Sequence, residues 1–258
     1  MTEFPTPKPI TLHVDVPAGR VDITASDRTT TEVEVKAARF TDESYAEQVR
    51  VEQNGDTVSI VAPHERRGLR SSSLRVTVAL PTGSRLDVTT ASADVTVNGR
   101  VADVMLGTAS GDVKVEAADN VRIKTASGDV RCDVIAGQAT VTTASGDIVL
   151  RSVGGTAEVG TASGDVTLTE VGGDLIAKSA SGDLSFAAVR GGHAEVRSTS
   201  GDVRLGVPEG TAAWLDLSSL SGDVSSSLHQ GEQPAEGERT MEVSVRTLSG
   251  DISIVRTR

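Results

Sequence analysis

Aromatic residues are nearly missing from this chain: Phe4, Phe40, Tyr45, Phe186 and Trp214 make up 2% of its 258 residues. Without large rings, a core must be assembled from small and β-branched side chains, which favours thin repetitive strands over a bulky globular interior. A single cysteine, Cys132, excludes an intramolecular disulfide framework and any metal site made of several thiolates. Basic clusters are missing as well. The formal net charge is -11 with no long run of Lys or Arg, so a phosphate-neutralising face is not expected, nor is a nucleic-acid partner. No apolar run approaches the length of a bilayer span, and the opening MTEFPTPKPI has neither a basic n-region nor an apolar h-region. The expectation is a soluble, cytoplasmic chain with no membrane partner.

What the chain does contain is a phrase that recurs. Ser-Gly-Asp appears with its serine at 110, 127, 145, 163, 181, 200, 221 and 249, after a variant Ser92-Ala93-Asp94. The successive spacings are 18, 17, 18, 18, 18, 19, 21 and 28, so the period is near 18 and loosens only at the end. Aligned on the serine, four residues earlier, the copies carry an apolar column: Val88, Leu106, Ile123, Val141, Val159, Ala177, Val196, Leu217 and Val245. Two residues earlier stands a Thr or Ser in every copy. Three and five residues later come further apolar columns, running from Val95 and Val97 to Ile252 and Ile254, with Ser226 the one clearly polar member. Ile135, Val153, Val171 and Val189 form another column eight residues after the serine.

Alternation at spacing two on both sides of Gly-Asp means two short strands per repeat, each with one face inward. Gly-Asp shifts the parity and makes one corner; the pairs Gly154-Gly155, Gly172-Gly173 and Gly191-Gly192 make the other. The period is too short for a propeller blade, and no helix-period stripe crosses residues 86 to 224. The pattern predicts an all-β fold, a parallel β-solenoid (single-stranded β-helix) of about nine rungs over 86–258, with identical positions stacked about 4.8 Å apart. Right-handed crossovers are the default for parallel strands.

Residues 1–85 alternate less regularly, with Asn54-Gly55 reading as a hairpin turn, and are expected to be a β region of degenerate rungs that caps the solenoid. A polar loop is expected at 226–240. The chain then closes on a strand expected to leave its edge uncovered.

The stretch LRVTVALPTGSRLDVTTASADVTV (74–97), followed by the repeated TASGDV, resembles the bacterial DUF4097 family of adhesin-like β-strand repeat proteins. The resemblance covers nearly the whole chain. It implies a β-helical or solenoid fold and an adhesin-like role, and it carries no catalytic residues.

Among candidate sites, the aspartate column (Asp112, Asp129, Asp147, Asp165, Asp183, Asp202) reads first as corner chemistry, each carboxylate accepting backbone N–H bonds in an Asx-type turn. A ladder of Ca²⁺ ions is the sharper alternative, since carboxylates and carbonyls are suitable ligands. Ser110-Gly111, Ser127-Gly128, Ser145-Gly146 and Ser163-Gly164 are the structural corner residues. The hydroxyl column bears comparison with ice-binding arrays, but outward Thr-x-Thr, as at Thr167 and Thr169, does not recur from rung to rung. His13, His64, His193 and His229 are scattered, with no triad or metal spacing, so a polysaccharide-cleaving β-helix lacks its acid and base cluster. Cys132 falls in an inward column and reads as a small buried hydrophobe. Trp214, where the period widens, is either a core cap or a partner anchor. The expected function is therefore a non-enzymatic scaffold or protein-interaction module without a cofactor. The alternative is a filament assembled end to end through a C-terminal edge at Ile252 and Ile254.

Overall fold

Short alternating strands joined by glycine corners account for almost the whole of the computed structural model, which describes residues 1–38, 43–63, 73–228 and 239–257. The fold is an all-β parallel solenoid. The chain divides into two compact units, Met1–Asp129 and Val130–Arg258.

The first unit contains β1 (Thr2–Pro5), β2 (Thr11–Ser26), β3 (Thr30–Ala37), the one-turn helix α1 (Glu43–Glu47), β4 (Arg50–Asn54), β5 (Thr57–Val61), β6 (Ser73–Pro81), β7 (Arg85–Gly107) and β8 (Val113–Lys124). The long strand β2 lies between two parallel neighbours. On one side it pairs with β7, Val14 opposite Val88 and Ile23 opposite Val97. On the other it pairs with β5, Val14 opposite Ile60, and then with β6, Val21 opposite Val76. Next, β7 pairs with β8 in parallel across a bulge between Val97 and Arg100. Thus β2 is a full rung and β5 with β6 another. Antiparallel strands close the outer side: β4 on β5 through the Asn54-Gly55 hairpin, β3 on β6, and β1 on β3. Gly55, at φ +59°, takes the left-handed turn conformation that alternation around Asn-Gly predicts. Sequence alternation alone did not reveal α1, whose Tyr45 is buried and donates its hydroxyl hydrogen to the Pro63 carbonyl at 3.0 Å.

The second unit contains β9 (Val130–Ile135), β10 (Ala139–Thr142), β11 (Ile148–Val153), β12 (Ala157–Ser163), β13 (Val166–Val171), β14 (Leu175–Ser181), β15 (Leu184–Val189), β16 (His193–Arg197), β17 (Val203–Pro208), β18 (Thr211–Ser221), β19 (Val224–Ser226), β20 (Arg239–Ser249) and β21 (Ile252–Thr257). They form two rows of parallel strands in register. Ile148, Val166, Leu184 and Val203 align along one row. Val141, Val159, Ala177 and Val196 align along the other. These columns are the apolar columns of the sequence, and their members are almost wholly buried.

The order of the last rungs departs from the order of the chain. Strands β16 and β17 are followed in space not by β18 and β19 but by β20 and β21: Val196 pairs with Val245 and Val203 with Ile252. Strands β18 and β19 pair onto the far side of that inserted rung, Leu217 opposite Val245 and Val224 opposite Ile252. The expected uncovered C-terminal edge is therefore corrected: Ile252 and Ile254 are 0% and 1% exposed. The physical reason is composition. The inserted rung brings Met241, Val243, Val245, Ile252 and Ile254 inward, whereas β18 and β19 offer Ala213, Leu215, Leu217, Val224 and Ser226, so burying the former removes more apolar surface from water. To leave room, the chain steps past one rung at Pro208-Glu209-Gly210. Arg256 holds that step by donating to the carbonyls of Pro208 (2.9 Å) and Thr211 (2.7 Å), and Glu209 N–H donates to the Thr257 carbonyl. Of the expected 226–240 loop, residues 229–238 lie outside the described residues.

Candidate functional site

At each Gly-Asp corner the chain must turn while lying against the corner before it. In the second unit a β-carbon on Gly164 would fall on the carbonyl oxygen of Gly146, and one on Gly182 on that of Gly164. These two glycines also have φ of +147° and +116°, a region that L side chains rarely adopt. Glycine is thus demanded twice over. Beside it, Ser145 bridges to Ser163 and Ser181 to Ser200 in parallel register, so the serines continue the ladder through the turn.

The aspartates form a ladder of their own. In the first unit Asp112 N–H donates to Asp94 Oδ1 (3.2 Å), and Asp129 N–H to Asp112 Oδ1 (3.1 Å). In the second, Asp165 donates to Asp147 and Asp183 to Asp165, both at 2.9 Å. The series continues from Asp202 to Asp183, Asp251 to Asp202 and Asp223 to Asp251 at 2.8–2.9 Å, which repeats the inverted rung order. These carboxylates therefore serve the backbone of a neighbouring rung. Like charges about 4.8 Å apart repel by about 0.9 kcal/mol in water, and hydrogen bonds to a charged group contribute about 1.5–3 kcal/mol. The ladder is favourable despite its charge. Among the described residues no group of three or more His, Cys, Asp or Glu stands close enough to hold a metal ion.

The hydroxyl column behaves differently in the two units. Thr108 and Thr125 accept the N–H of Gly111 and Gly128 through Oγ1 at 3.1 and 3.0 Å. Beyond them the glycine N–H turns to the next rung, Gly146 to the Ser163 carbonyl and Gly164 to the Ser181 carbonyl. Thr143 and Thr161 keep a buried Oγ1 with no hydrogen-bond partner among the described residues. Ser198 and Thr247 instead donate to the carbonyls of Ser200 and Ser249, both at 3.1 Å.

Cys132 is fully buried between Leu150 and its row neighbours, and burial, aided by the negative charge of Asp133, pushes its thiol up to about 12. It is protonated and inert at neutral pH. His13 Nδ1 lies 3.2 Å from Asp87 Oδ2, and His193 Nδ1 lies 3.8 Å from Glu242 Oε2; both are surface pairs. His64 and His229 lie outside the described residues.

Outward residues carry what is individual to each rung. In one row of the second unit the outward column reads Gly160, Lys178, Arg197, Arg246 and Ser218 in spatial order. Three cations thus stand on adjacent strands of an acidic protein. Their repulsion is relieved by Glu195, 2.6 Å from Arg197, and Asp216, 3.0 Å from Arg246. Trp214 projects from β18 opposite Glu242 and is 77% exposed, so it does not act as a core cap. It borders a shallow hollow of about 480 Å³ lined by Gly192, Thr240, Met241 and Glu242. Sequence reasoning missed the cation column: Lys178, Arg197 and Arg246 each stand three residues before the serine, but only the inverted rung order sets Arg246 beside Arg197.

No helix among the described residues is long and apolar enough to cross a membrane. No curated protein matches the chain. A family model described as Toastrack DUF4097 matches residues 11–255. Among solved structures, an adhesin candidate of Bacteroides fragilis NCTC 9343 is similar at 12% identity and a TM-score of 0.50, covering 99% of this chain and 95% of that one. An adhesin candidate of Parabacteroides distasonis ATCC 8503 aligns at 12% identity and a TM-score of 0.40, with 99% and 95% covered.

Proposed function

The chain belongs to the Toastrack DUF4097 family, and we propose that it works as a non-enzymatic module that binds a protein partner through outward strand residues of its second unit. One observation carries this reading: inward columns repeat one chemistry from rung to rung, while the outward column of Lys178, Arg197 and Arg246 is specific to its place. A stack of strands is thereby a rigid frame for a row of charges at strand spacing. Such a row suits a partner that offers acidic side chains at a similar pitch, where rim charges set orientation and association rate. The adhesin candidates of similar fold support an interaction role at that coarse level.

The test is capture from bacterial extract with the purified chain and with a Lys178→Glu/Arg197→Glu variant. A protein retained by the first and lost by the second, with equal melting temperatures, supports the reading. Equal capture by both sinks it. Turnover of a polysaccharide by the purified chain would sink the non-enzymatic part.

A further inference from the structure

Strand β18 is eleven residues long, and among the described residues it pairs only with β20, leaving one whole side of its backbone without a strand partner. An edge of this length is a template for another strand unless something covers it. Its side chains say what fits. Trp214 and Leu220 point outward and are 77% and 83% exposed, although both are large and apolar. Leu215 and Leu217 are in the inward register yet only half-buried, because no further rung among the described residues lies over them.

We propose that this edge pairs with the same edge of a second copy of the chain, antiparallel about Leu217. In an antiparallel pair, residues directly opposite share a face of the sheet and positions that sum to a constant face each other. With Leu217 on the twofold axis, Trp214 lies opposite Leu220 of the partner, and Leu220 opposite the partner's Trp214. Asp216 then faces Ser218 of the partner and not its own copy, so the one charged residue of β18 has no like charge across the pair. A register centred on Asp216 would oppose two carboxylates, which is unfavourable. The two large exposed apolar residues of β18 are thus symmetric about a single residue, which makes the edge complementary to itself and gives a closed, isologous dimer. A head-to-tail filament is disfavoured by the first unit, whose outer strands β1 and β4 have four and five residues and carry Glu3, Arg50 and Glu52.

The experiment is light scattering of the full chain after size-exclusion chromatography over a wide concentration range, with two sets of variants. The expected mass is twice the 26.6 kDa of one chain at high concentration, falling to one chain on dilution. Leu220→Arg should raise the dissociation constant about tenfold or more without lowering the melting temperature. Leu217→Cys should form a disulfide with its own copy under mild oxidation. Purified Trp214→Cys and Leu220→Cys should cross-link when mixed and not alone; buried Cys132 does not compete. A one-chain mass at every concentration overturns the proposal, as does growth beyond two copies, a dimer indifferent to Leu220→Arg, or cross-linking at Ser225→Cys as efficient as at Leu217→Cys. The capture experiment on Lys178 and Arg197 is independent of these outcomes.

Discussion

The two units finish their outermost rungs in opposite ways. In the first, β5 and β6 are covered by antiparallel strands, and Val58, Ile60, Leu74, Val76, Val78 and Leu80 are 1% exposed or less. In the second, β18 and β19 have no outer neighbour among the described residues, and Val224 is 47% exposed. An antiparallel strand can be laid on a parallel sheet by a short hairpin, which ends the ladder with polar residues facing water. The second unit instead buries its most apolar late rung and leaves a weaker one outside. Covering an edge protects it from association; inverting the rung order stabilises the core while leaving an edge available.

Four measurements would break or sharpen that comparison. The largest effect is expected from removing residues 239–258. This strips five buried apolar side chains from between two rungs, on the order of 10 kcal/mol by transfer from water, and should abolish the second unit's unfolding transition in denaturant. Removing residues 1–5 should shift the first unit's transition only slightly, and equal losses at the two ends would contradict the contrast drawn here. Next, Ile254→Ala should cost about 2–4 kcal/mol because it opens a cavity in the inserted rung, whereas Val224→Ala at the open edge should cost less than about 1 kcal/mol. If urea midpoints moved equally for both, the rung order would be wrong.

A smaller effect separates two copies of one phrase. Thr125→Val removes the acceptor for Gly128 N–H and should destabilise by about 1–2 kcal/mol. Thr161→Val, at a hydroxyl without a partner among the described residues, should be neutral or mildly stabilising, and thermal melts of the pair give the answer directly. The smallest effect at neutral pH concerns Cys132. Folding raises its pKa, so the folded thiol keeps a proton that the unfolded chain has lost. Its contribution is complete below the ordinary thiol value and fades as pH climbs from there to about 12. Cys132→Val should flatten that part of the alkaline stability profile; an unchanged slope would mean that other groups govern it.

Much of the fold was legible because a solenoid writes its register into its sequence. Stacked positions share one environment, so Val141, Val159, Ala177 and Val196 align in sequence as they do in space. The corner glycines and the Asn54-Gly55 turn were legible for the same local reason: steric constraint acts within a few residues. Even the anomaly was visible, since the spacings of 21 and 28 mark where the chain steps past a rung and returns. What that step does was not legible, because the columns are unchanged whichever rung lies inside.

Local sequence also could not settle the corner. TASGDV at 108 and 125 folds with Thr Oγ1 holding the glycine N–H, and TASGDV at 161 folds with that N–H given to the next rung. Identical residues take two arrangements because the glycine N–H finds its acceptor inside the phrase in one case and on a neighbouring rung in the other. The sequence alone therefore determined strand, corner, inward face and register, all properties of a residue and its nearest neighbours along the chain. The order of the last rungs, the identity of the open edge, the placement of Arg246 beside Arg197, and the acceptor that each corner glycine uses were decided by tertiary structure. They depend on which rungs come to lie side by side, and burial of apolar surface selects that arrangement across distances no local pattern encodes.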